Sequence, residues 1–279
     1  MRSRIIQIIR SIFSFLNLEV RRKIIPIKKI SSSKFDKGML FENKEIYGDT
    51  DFKIKFMKAK LDSHYYFIPL YAEHRPAIQD ILSGRRYEHA THSFFSKIFE
   101  SREGSMIHAG TFFGDMLPDF SNKINGTLYA FEPLLENFVM AKMCIQENKL
   151  ENCLIFNCAL SNAITNLRIN AFEESLEHAG GAAKISQDGL ITSSIKIDSL
   201  NINDMFLLHL DIEGHELEAL MGGINTIKKC MPIIAIEDNN MSCPDLLKSL
   251  DYQLYFKLPE LDVWIHKNDY SAEELIDSI

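Results

Sequence analysis

Short apolar runs alternate with amphipathic stretches along most of the chain, and this alternation predicts its secondary structure. From residue 106 onward it predicts five core strands and four helices between or after them. Two further strand-like runs, Gln253–Phe256 and Asp262–Ile265, close the pattern. Such an order is typical of a mostly parallel sheet with helices on both faces. The predicted strands are 106–109, 127–131, 153–158, 206–210 and 232–236, and the predicted helices are about 115–121, 134–148, 214–229 and 243–250.

Upstream of this region the pattern is different and shorter. Strict alternation in Phe52–Phe56, followed by the apolar run Tyr65–Pro69, predicts a small β-hairpin. Residues 74–100 read as helical with a break at Ser83 and Gly84. The sequence therefore predicts an N-terminal segment over 1–30, a hairpin and helical extension over 31–100, and a larger domain over 101–279.

The first 18 residues predict an amphipathic helix, because apolar residues surround a narrow stripe of Gln7, Arg10, Ser14 and Asn17. The helix is too short to span a bilayer and has no signal-peptide cleavage site. Residues 1–30 carry eight Lys or Arg and one acid. Two interpretations stay open: residues 1–25 lie on an anionic membrane surface, or the helix packs on its own domain or on a second subunit.

Charge and cysteine content narrow the class of function. Beyond residue 30 the chain carries 23 Lys or Arg against 37 Asp or Glu. The net negative charge of this part of the chain repels a phosphate backbone. Nucleic acid is therefore an unfavourable partner. The five cysteines are odd in number and include no Cys-x-x-Cys pair. We therefore expect a reducing cytoplasm, with the inner face of the membrane as the alternative location.

One turn in the larger domain indicates a nucleotide-containing cofactor. Gly110 and Gly114 follow the first core strand, where glycines let the backbone approach a ligand closely. Glu132 lies 22 residues after Gly110, at the end of the next strand. An acid at about this spacing accepts hydrogen bonds from ribose hydroxyls.

A second stretch carries the candidate chemistry. An apolar strand ends in Asp211 and opens into a helix, which gathers Asp211, Glu213 and Glu216 at one strand end. Ligands of open α/β sheets bind outside the carboxyl ends of the strands. A helix dipole alone would explain Glu213 and Glu216, but it explains less well an acid on the strand itself.

These segments together resemble the FkbM-type S-adenosylmethionine-dependent methyltransferases over about Tyr87 to Glu237. The resemblance rests on four stretches: Ile107–Asp115, Tyr129–Pro133, His209–Gly223 and Pro232–Glu237. Tyr87–Glu88 and the Gly-rich Ala179–Gly181 also fall where the family has comparable features. It implies a doubly wound, mostly parallel, seven-stranded class I methyltransferase (Rossmann-like) sheet, with Asp262–Ile265 as its antiparallel strand. It also implies S-adenosyl-L-methionine as cofactor. The cofactor-binding residues it implies are His108, Ala109, Gly110, Gly114, Phe131, Glu132, Cys158 and Ala159.

Two positions depart from the family pattern. His108 stands where the family usually carries an acid, and His209 replaces a lysine before Asp211. Both histidines could be buried and satisfied, which is the commoner fate of a histidine on a strand.

The resemblance implies an O-methyltransferase that acts on a hydroxyl of a small molecule or glycan, of sugar or polyketide type. A hydroxyl is a poor nucleophile, so a base or a metal must help remove its proton. Candidate catalytic residues are Asp211, Glu213 and His215, with His178 as a further base. Asp211, Glu237 and Asp238 are candidate oxygen ligands for Mg²⁺, although the same acids could bind substrate hydroxyls instead.

Two other functions compete with this interpretation. A nicotinamide-dependent oxidoreductase would use a Gly-x-Gly-x-x-Gly loop, which the chain lacks. A non-catalytic binding or scaffold protein could keep the same fold, a hypothesis motivated by His108 and His209. The sequence leaves the acceptor and the oligomeric state open.

Overall fold

The computed structural model describes residues 19–20, 30–31, 35–42, 52–172 and 178–277. The expected amphipathic helix over the first 18 residues lies outside them. The chain folds as two units, Met1–Tyr87 and Glu88–Ile279. The helix at 89–101, which the sequence pattern places in the N-terminal extension, belongs to the second unit. Among the residues that the structure describes, no helix is long and apolar enough to cross a membrane.

The first unit is built on an antiparallel sheet. Its elements are β1 (Glu19–Val20), β2 (Ile30–Ser31), β3 (Phe35–Glu42), β4 (Phe52–Leu61), β5 (His64–Pro69) and α1 (Pro76–Leu82). The predicted hairpin is confirmed: β4 and β5 pair from Leu61↔His64 to Phe56↔Pro69. The sequence pattern missed the other strands, since β3 pairs along the second edge of β4 and β1 pairs with its first residues.

The second unit contains a seven-stranded sheet, as expected. Its strands are β6 (Ser105–Ala109), β7 (Leu128–Phe131), β8 (Cys153–Phe156), β13 (Met205–Leu210), β14 (Ile233–Ile236), β15 (Tyr252–Leu258) and β16 (Leu261–His266). They lie in the order β15-β16-β14-β13-β6-β7-β8. The pairs from β14 to β8 are parallel, whereas β16 runs antiparallel to both of its neighbours. The sheet is thus mixed, and the predicted reversed strand at 262–265 is confirmed.

Helices cover both faces of this sheet. Strands β6, β13 and β14 are buried along their whole length, as strands covered on both sides must be. Alternate strand residues belong to two apolar clusters, one on each face. One cluster includes residues of α2 (His89–Ser101), α3 (Leu117–Ser121), α4 (Leu135–Asn148) and α8 (Tyr270–Asp277), and the other includes residues of α5 (Glu216–Met221), α6 (Ile224–Cys230) and α7 (Pro244–Ser249).

A smaller sheet lies between β8 and β13 in the chain. Its strands are β9 (Ala159–Leu160), β10 (Thr165–Asn170), β11 (Lys184–Ser186) and β12 (Leu190–Ile195). They lie in the order β11-β10-β12-β9, and only the β12–β9 pair is parallel. The predicted strand 153–158 therefore ends early, at Phe156, because the chain that follows it pairs with β12 instead.

The prediction of one helix over 214–229 is wrong, because the chain breaks at Gly222 and Gly223 into α5 and α6. A Cβ on Gly222 would lie 2.0 Å from the carbonyl oxygen of Ser161. The carboxylate of Asp198 accepts the N–H and hydroxyl of Thr226, both at 2.8 Å, and so satisfies a free donor at the start of α6. The break therefore depends on residues remote in the sequence. The helix α8 was likewise not predicted.

Phe120 tests the packing of one apolar cluster. Its ring is fully buried and lies 5.5–5.7 Å, centroid to centroid, from the rings of His92, Phe95, Phe99 and His108. We expect Phe120→Ala to lower the free energy of unfolding by about 3–5 kcal/mol, because it leaves a cavity. Urea denaturation would measure this change, with the exposed Ile164→Ala as control, expected within about 0.5 kcal/mol of the unaltered protein. An equal loss of unfolding free energy in the two variants would contradict the placement of Phe120 in the core of this cluster.

Candidate functional site

A cleft opens at the carboxyl ends of the parallel strands. The chain leaves β6 towards β7 and β8 on one side and later returns to β13 and β14 on the other, so β6 and β13 flank a switch point, where such sheets bind ligands. The cleft encloses about 470 Å³, part of it open to solvent. Eight residues singled out from the sequence line it: Ala109, Gly110, Phe131, Glu132, Cys158, Ala159, Asp211 and His215.

Gly110 sets the distance between the two sides of the cleft. A Cβ at this position would lie 1.7 Å from the carbonyl oxygen of Asp211. The φ angle of +89° also lies in the region that glycine tolerates best. The N–H of Gly110 donates to Phe131 at 3.1 Å, and the N–H of Asp211 donates to Ala109 at 3.1 Å. Only glycine lets the loop after β6 approach the loop after β13 this closely.

Glu132 is buried at the end of β7 and organises the same loop. Its Oε2 accepts the N–H of Phe112 at 2.8 Å, and its Oε1 accepts the N–H of Leu134 at 2.9 Å. Burial raises the pKa of Glu132 to about 8, and these two backbone hydrogen bonds oppose the rise. Phe112 has φ of +50°, an unusual angle for a bulky residue. Glu132 therefore holds a strained loop as well as facing the cleft.

Asp211 is paired with a second carboxyl from the next strand. Burial raises the pKa of Asp211 well above its usual range, and the charge of Glu237 and a side-chain hydrogen bond with it raise it further. Glu237 also accepts a hydrogen bond from Asn239 Nδ2 at 2.7 Å. Two carboxyls in hydrogen-bonding contact must share a proton. The sequence pointed to Glu237 as a metal ligand or as a residue that binds substrate hydroxyls. Its pairing with Asp211 follows from the adjacent strands β13 and β14.

The three candidate magnesium ligands are not brought together as one site. Both oxygens of Asp238 accept backbone N–H groups at the start of α7, those of Ser242 and Cys243, each at 2.9 Å. Within the described ranges no three His, Cys, Asp or Glu side chains converge as metal ligands. The donor set therefore does not support Mg²⁺ at Asp211, Glu237 and Asp238.

The remaining candidate acids and bases of this loop have separate roles. Glu213 does not line the cleft and lies 3.5 Å from Lys184 Nζ. Glu216 Oε1 accepts the N–H groups of Ile212 at 3.0 Å and Gly214 at 3.1 Å, which fixes the turn after Asp211. His215 does line the cleft, and its Nε2 lies 3.1 Å from the hydroxyl of Ser161. Burial lowers the pKa of His215, which favours the neutral imidazole.

The two departures from the family pattern meet each other. His108 and His209 are adjacent in the β6–β13 pairing, their rings stack at 4.8 Å, and their Nδ1 atoms lie 3.0 Å apart. Both side chains are buried, and neither lines the cleft. His108 therefore lies outside the cleft lining, and its expected contact with the cofactor stays a prediction. Gly114 also lies away from the lining, because it packs on Ala141 of α4.

Some lining residues carried little signal in the sequence. Ile169 and Ile185 project from β10 and β11, strands that the sequence pattern did not resolve. Gly181 belongs to the Gly-rich stretch Ala179–Gly181, to which the sequence assigned no role, and Ala183 follows it. Its neighbour His178, a candidate base, lies outside the lining and contacts Glu136 at 2.9 Å. The full set added by the structure is Pro133, Leu160, Ile169, Gly181, Ala183, Ile185 and Ile212.

Comparison with known proteins shows which protein family this chain matches. The family model for the methyltransferase FkbM domain matches residues 108–271. Methyltransferase FkbM from Methylobacillus flagellatus KT is similar at 16% identity and a TM-score of 0.44, over 59% of this chain. This chain spans only 44% of that protein. No curated protein matches the sequence.

Two other solved structures are similar at lower scores. An rRNA methylase from Streptococcus thermophilus has 13% identity and a TM-score of 0.37, covering 65% of this chain and 97% of that one. A SAM-dependent methyltransferase from Aquifex aeolicus has 12% identity and a TM-score of 0.37, covering 62% and 87%. Likenesses this weak support no inference about substrate.

The histidine pair predicts how stability depends on pH. Burial lowers the pKa of His108 to about 3 and lowers that of His209 as well, so the folded protein keeps both neutral. Unfolded histidine takes up a proton near pH 6.5. The stability from the neutral pair is therefore present above about pH 6.5 and is lost as pH falls towards 3. When pH falls from 7.5 to 5.5, the two histidines together should lower the free energy of unfolding by about 2–3 kcal/mol.

Urea unfolding at these two pH values would test this, with the double variant His108→Leu/His209→Leu as reference. Other titrating groups act in both proteins, so the difference isolates the pair. A pH dependence as steep in the double variant as in the unaltered protein would contradict the prediction.

Proposed function

The chain belongs to the FkbM methyltransferase family, and from that premise we propose that it transfers a methyl group from S-adenosylmethionine to a hydroxyl of a small molecule or glycan. The observation that carries the proposal is the position of Asp211 in the cleft lining, with Glu237 at the end of the neighbouring paired strand. Asp211 supplies a base where Gly110 and Glu132 offer a nucleotide site.

The cleft residues fit the cofactor on chemical grounds. An ionised carboxylate has about four acceptor positions. In the ionised form of Glu132 the donors Phe112, Leu134 and Asn137 take three of these positions, which leaves one for a ribose hydroxyl. Because the pKa of Glu132 is about 8, this form gains population as pH rises through that value. Phe131, Cys158 and Ala159 add an apolar surface suited to a planar base. When bound, S-adenosylmethionine supplies an electrophilic methyl group on a sulfonium sulfur.

The protein's part in the reaction is proton removal and positioning. Asp211 in its ionised form accepts the proton of the acceptor hydroxyl, and the raised pKa makes it a stronger base than an ordinary aspartate. Glu237, held by Asn239, keeps the Asp211 carboxyl in place through their hydrogen bond. Glu216 fixes the backbone of the same turn. Holding the hydroxyl near the methyl group provides much of the remaining acceleration.

Charge supports a neutral or cationic acceptor. Glu88 and Glu237 both raise the pKa of Asp211 through their charges, so negative potential accumulates here. A phosphate-bearing acceptor would meet repulsion. Polyhydroxylated sugars and polyketide alcohols would not.

The two histidines do not support the alternative of a non-catalytic scaffold protein. This alternative was based on His108 and His209, and both lie outside the cleft lining, bonded to each other. The residues that face the cleft keep the acids and glycine that an enzyme of this family needs.

Cofactor binding is the first test. We expect calorimetric titration with S-adenosylmethionine to give a dissociation constant in the micromolar range, the usual scale for cellular small-molecule ligands. NADH serves as the control ligand and should give no heat of binding. Binding of NADH alone would replace the proposal with the oxidoreductase hypothesis.

The catalytic role of Asp211 has its own test. Asp211→Asn should bind S-adenosylmethionine within about threefold of the unaltered protein but lose about 10²-fold or more in turnover, the usual contribution of a general base. S-Adenosylhomocysteine formation with a panel of sugar and polyketide alcohols would measure it. In the unaltered enzyme turnover should rise with pH, because Asp211 must be ionised.

The matched control is Glu213→Gln, which changes a carboxylate two residues away that faces Lys184. It should keep most of the turnover. If Asp211→Asn retained turnover while Glu213→Gln lost it, the base would be Glu213.

A further inference from the structure

One wall of the cleft is a short segment outside the strands and α-helices. Gly181 and Ala183 line the cleft, and residues Gly180–Ala182 form a single 3₁₀ turn. This turn packs on the ring of Phe112, since a Cβ on Gly181 would lie 3.3 Å from two ring carbons. Backbone without regular structure orders itself only through specific contacts. Specific contacts must therefore hold this turn in place.

Both backbone polar groups of Gly180 are held by side chains. Its N–H donates to Nδ1 of His178 at 3.0 Å, and its carbonyl accepts from Nδ2 of Asn137 at 3.0 Å. Gly180 has φ of +61°, a conformation that glycine adopts at least cost. The turn is therefore fixed at its first residue from two directions.

The contacts assign the proton on His178. A backbone N–H can only donate, so Nδ1 of His178 must be an unprotonated acceptor. The ring proton then sits on Nε2, which donates to Oε1 of Glu136 at 2.9 Å. The side chains of Glu136, Asn137 and His178 are all buried. Removing any one of them leaves a buried polar group without its partner, which costs far more than the net value of one hydrogen bond.

The helix α4, which carries Glu136 and Asn137, also contacts Glu132 in the cleft lining. Asn137 on α4 donates to Oε1 of Glu132 at 3.4 Å as well as to Gly180. Glu132 in turn holds the N–H of Phe112, on whose ring the turn packs. The wall and the loop after β6 are thus positioned by one connected set of hydrogen bonds.

We infer that Glu136, Asn137 and His178 form a clamp on Gly180, and that they are positioning residues for cofactor binding. None of them lines the cleft. Their effect is to order the 179–183 wall before a ligand arrives, so that binding does not bear the entropy of ordering it. The identity of the ligand rests on the proposed function, whereas the clamp itself rests on the contacts.

The experiment compares clamp variants with a matched control in the same unit. Asn137→Ala and His178→Phe each remove one contact to Gly180. Asn152→Ala is the control, because Asn152 also donates to backbone carbonyls, those of Ser121, Ile124 and Gly126, at 3.0–3.4 Å. These three residues do not line the cleft. Each protein is titrated with S-adenosylhomocysteine, and amide hydrogen exchange over 179–183 is followed by mass spectrometry.

We expect both clamp variants to bind S-adenosylhomocysteine at least tenfold more weakly and to exchange faster over 179–183. The affinity of the control for S-adenosylhomocysteine should stay within twofold of that of the unaltered protein. This holds even if the melting temperature of the control falls as far as that of the clamp variants. Glu136→Gln keeps an oxygen acceptor for His178 and should bind nearly as well as the unaltered protein, whereas Glu136→Ala should not. Unchanged affinity in the clamp variants, or an equal loss in Asn152→Ala, would overturn the inference.

Failure of the proposed function gives a different result. If the unaltered protein bound no S-adenosylhomocysteine, the cofactor assignment would fail, and the clamp's role in cofactor binding would fail with it. Exchange over 179–183 would still decide whether the clamp orders the wall: faster exchange in His178→Phe than in Asn152→Ala would support it, and equal exchange would reject it.

Discussion

The close approach of two backbone loops at the switch point is the constraint on which the site depends. Gly110 and Asp211 come so near that a Cβ on Gly110 would overlap the carbonyl of Asp211. This contact joins the loop after β6 to the loop that begins with Asp211. Because both loops begin at the ends of neighbouring buried strands, the sheet fixes their separation, and the glycine makes that separation possible.

Buried polar groups then set the shape of the cleft with few direct contacts to a ligand. Glu132 holds Phe112, Asn137 joins Glu132 to Gly180, and Glu216 holds the turn after Asp211. Each hydrogen bond contributes modestly to stability, but a buried polar atom without a partner is costly. Such a network therefore specifies one geometry more strongly than its net energy suggests.

The histidine pair shows how the sheet brings two distant residues into one buried contact. His108 and His209 lie side by side on β6 and β13, where two neutral rings can share one hydrogen bond. They are surrounded by aromatic rings, Phe95 and Phe120 among them, so a charge there would be poorly solvated. The pair is therefore stable only while both rings stay uncharged, and the protein loses stability at acid pH.

The sequence by itself determined the alternation of strands and helices, the hairpin and the residues at strand ends, because these depend on local apolar periodicity and on turn chemistry. It therefore found Gly110, Glu132 and Asp211. The seven-stranded sheet followed only from the resemblance to a known family. Only the tertiary structure decided which side chains meet: that Glu237 pairs with Asp211, that His108 faces His209 and not the cleft, and that Asp198 holds the start of the helix after Gly222. These contacts join residues far apart in the chain, 101 positions in the case of the two histidines, and no local pattern encodes the pairing of strands across a sheet.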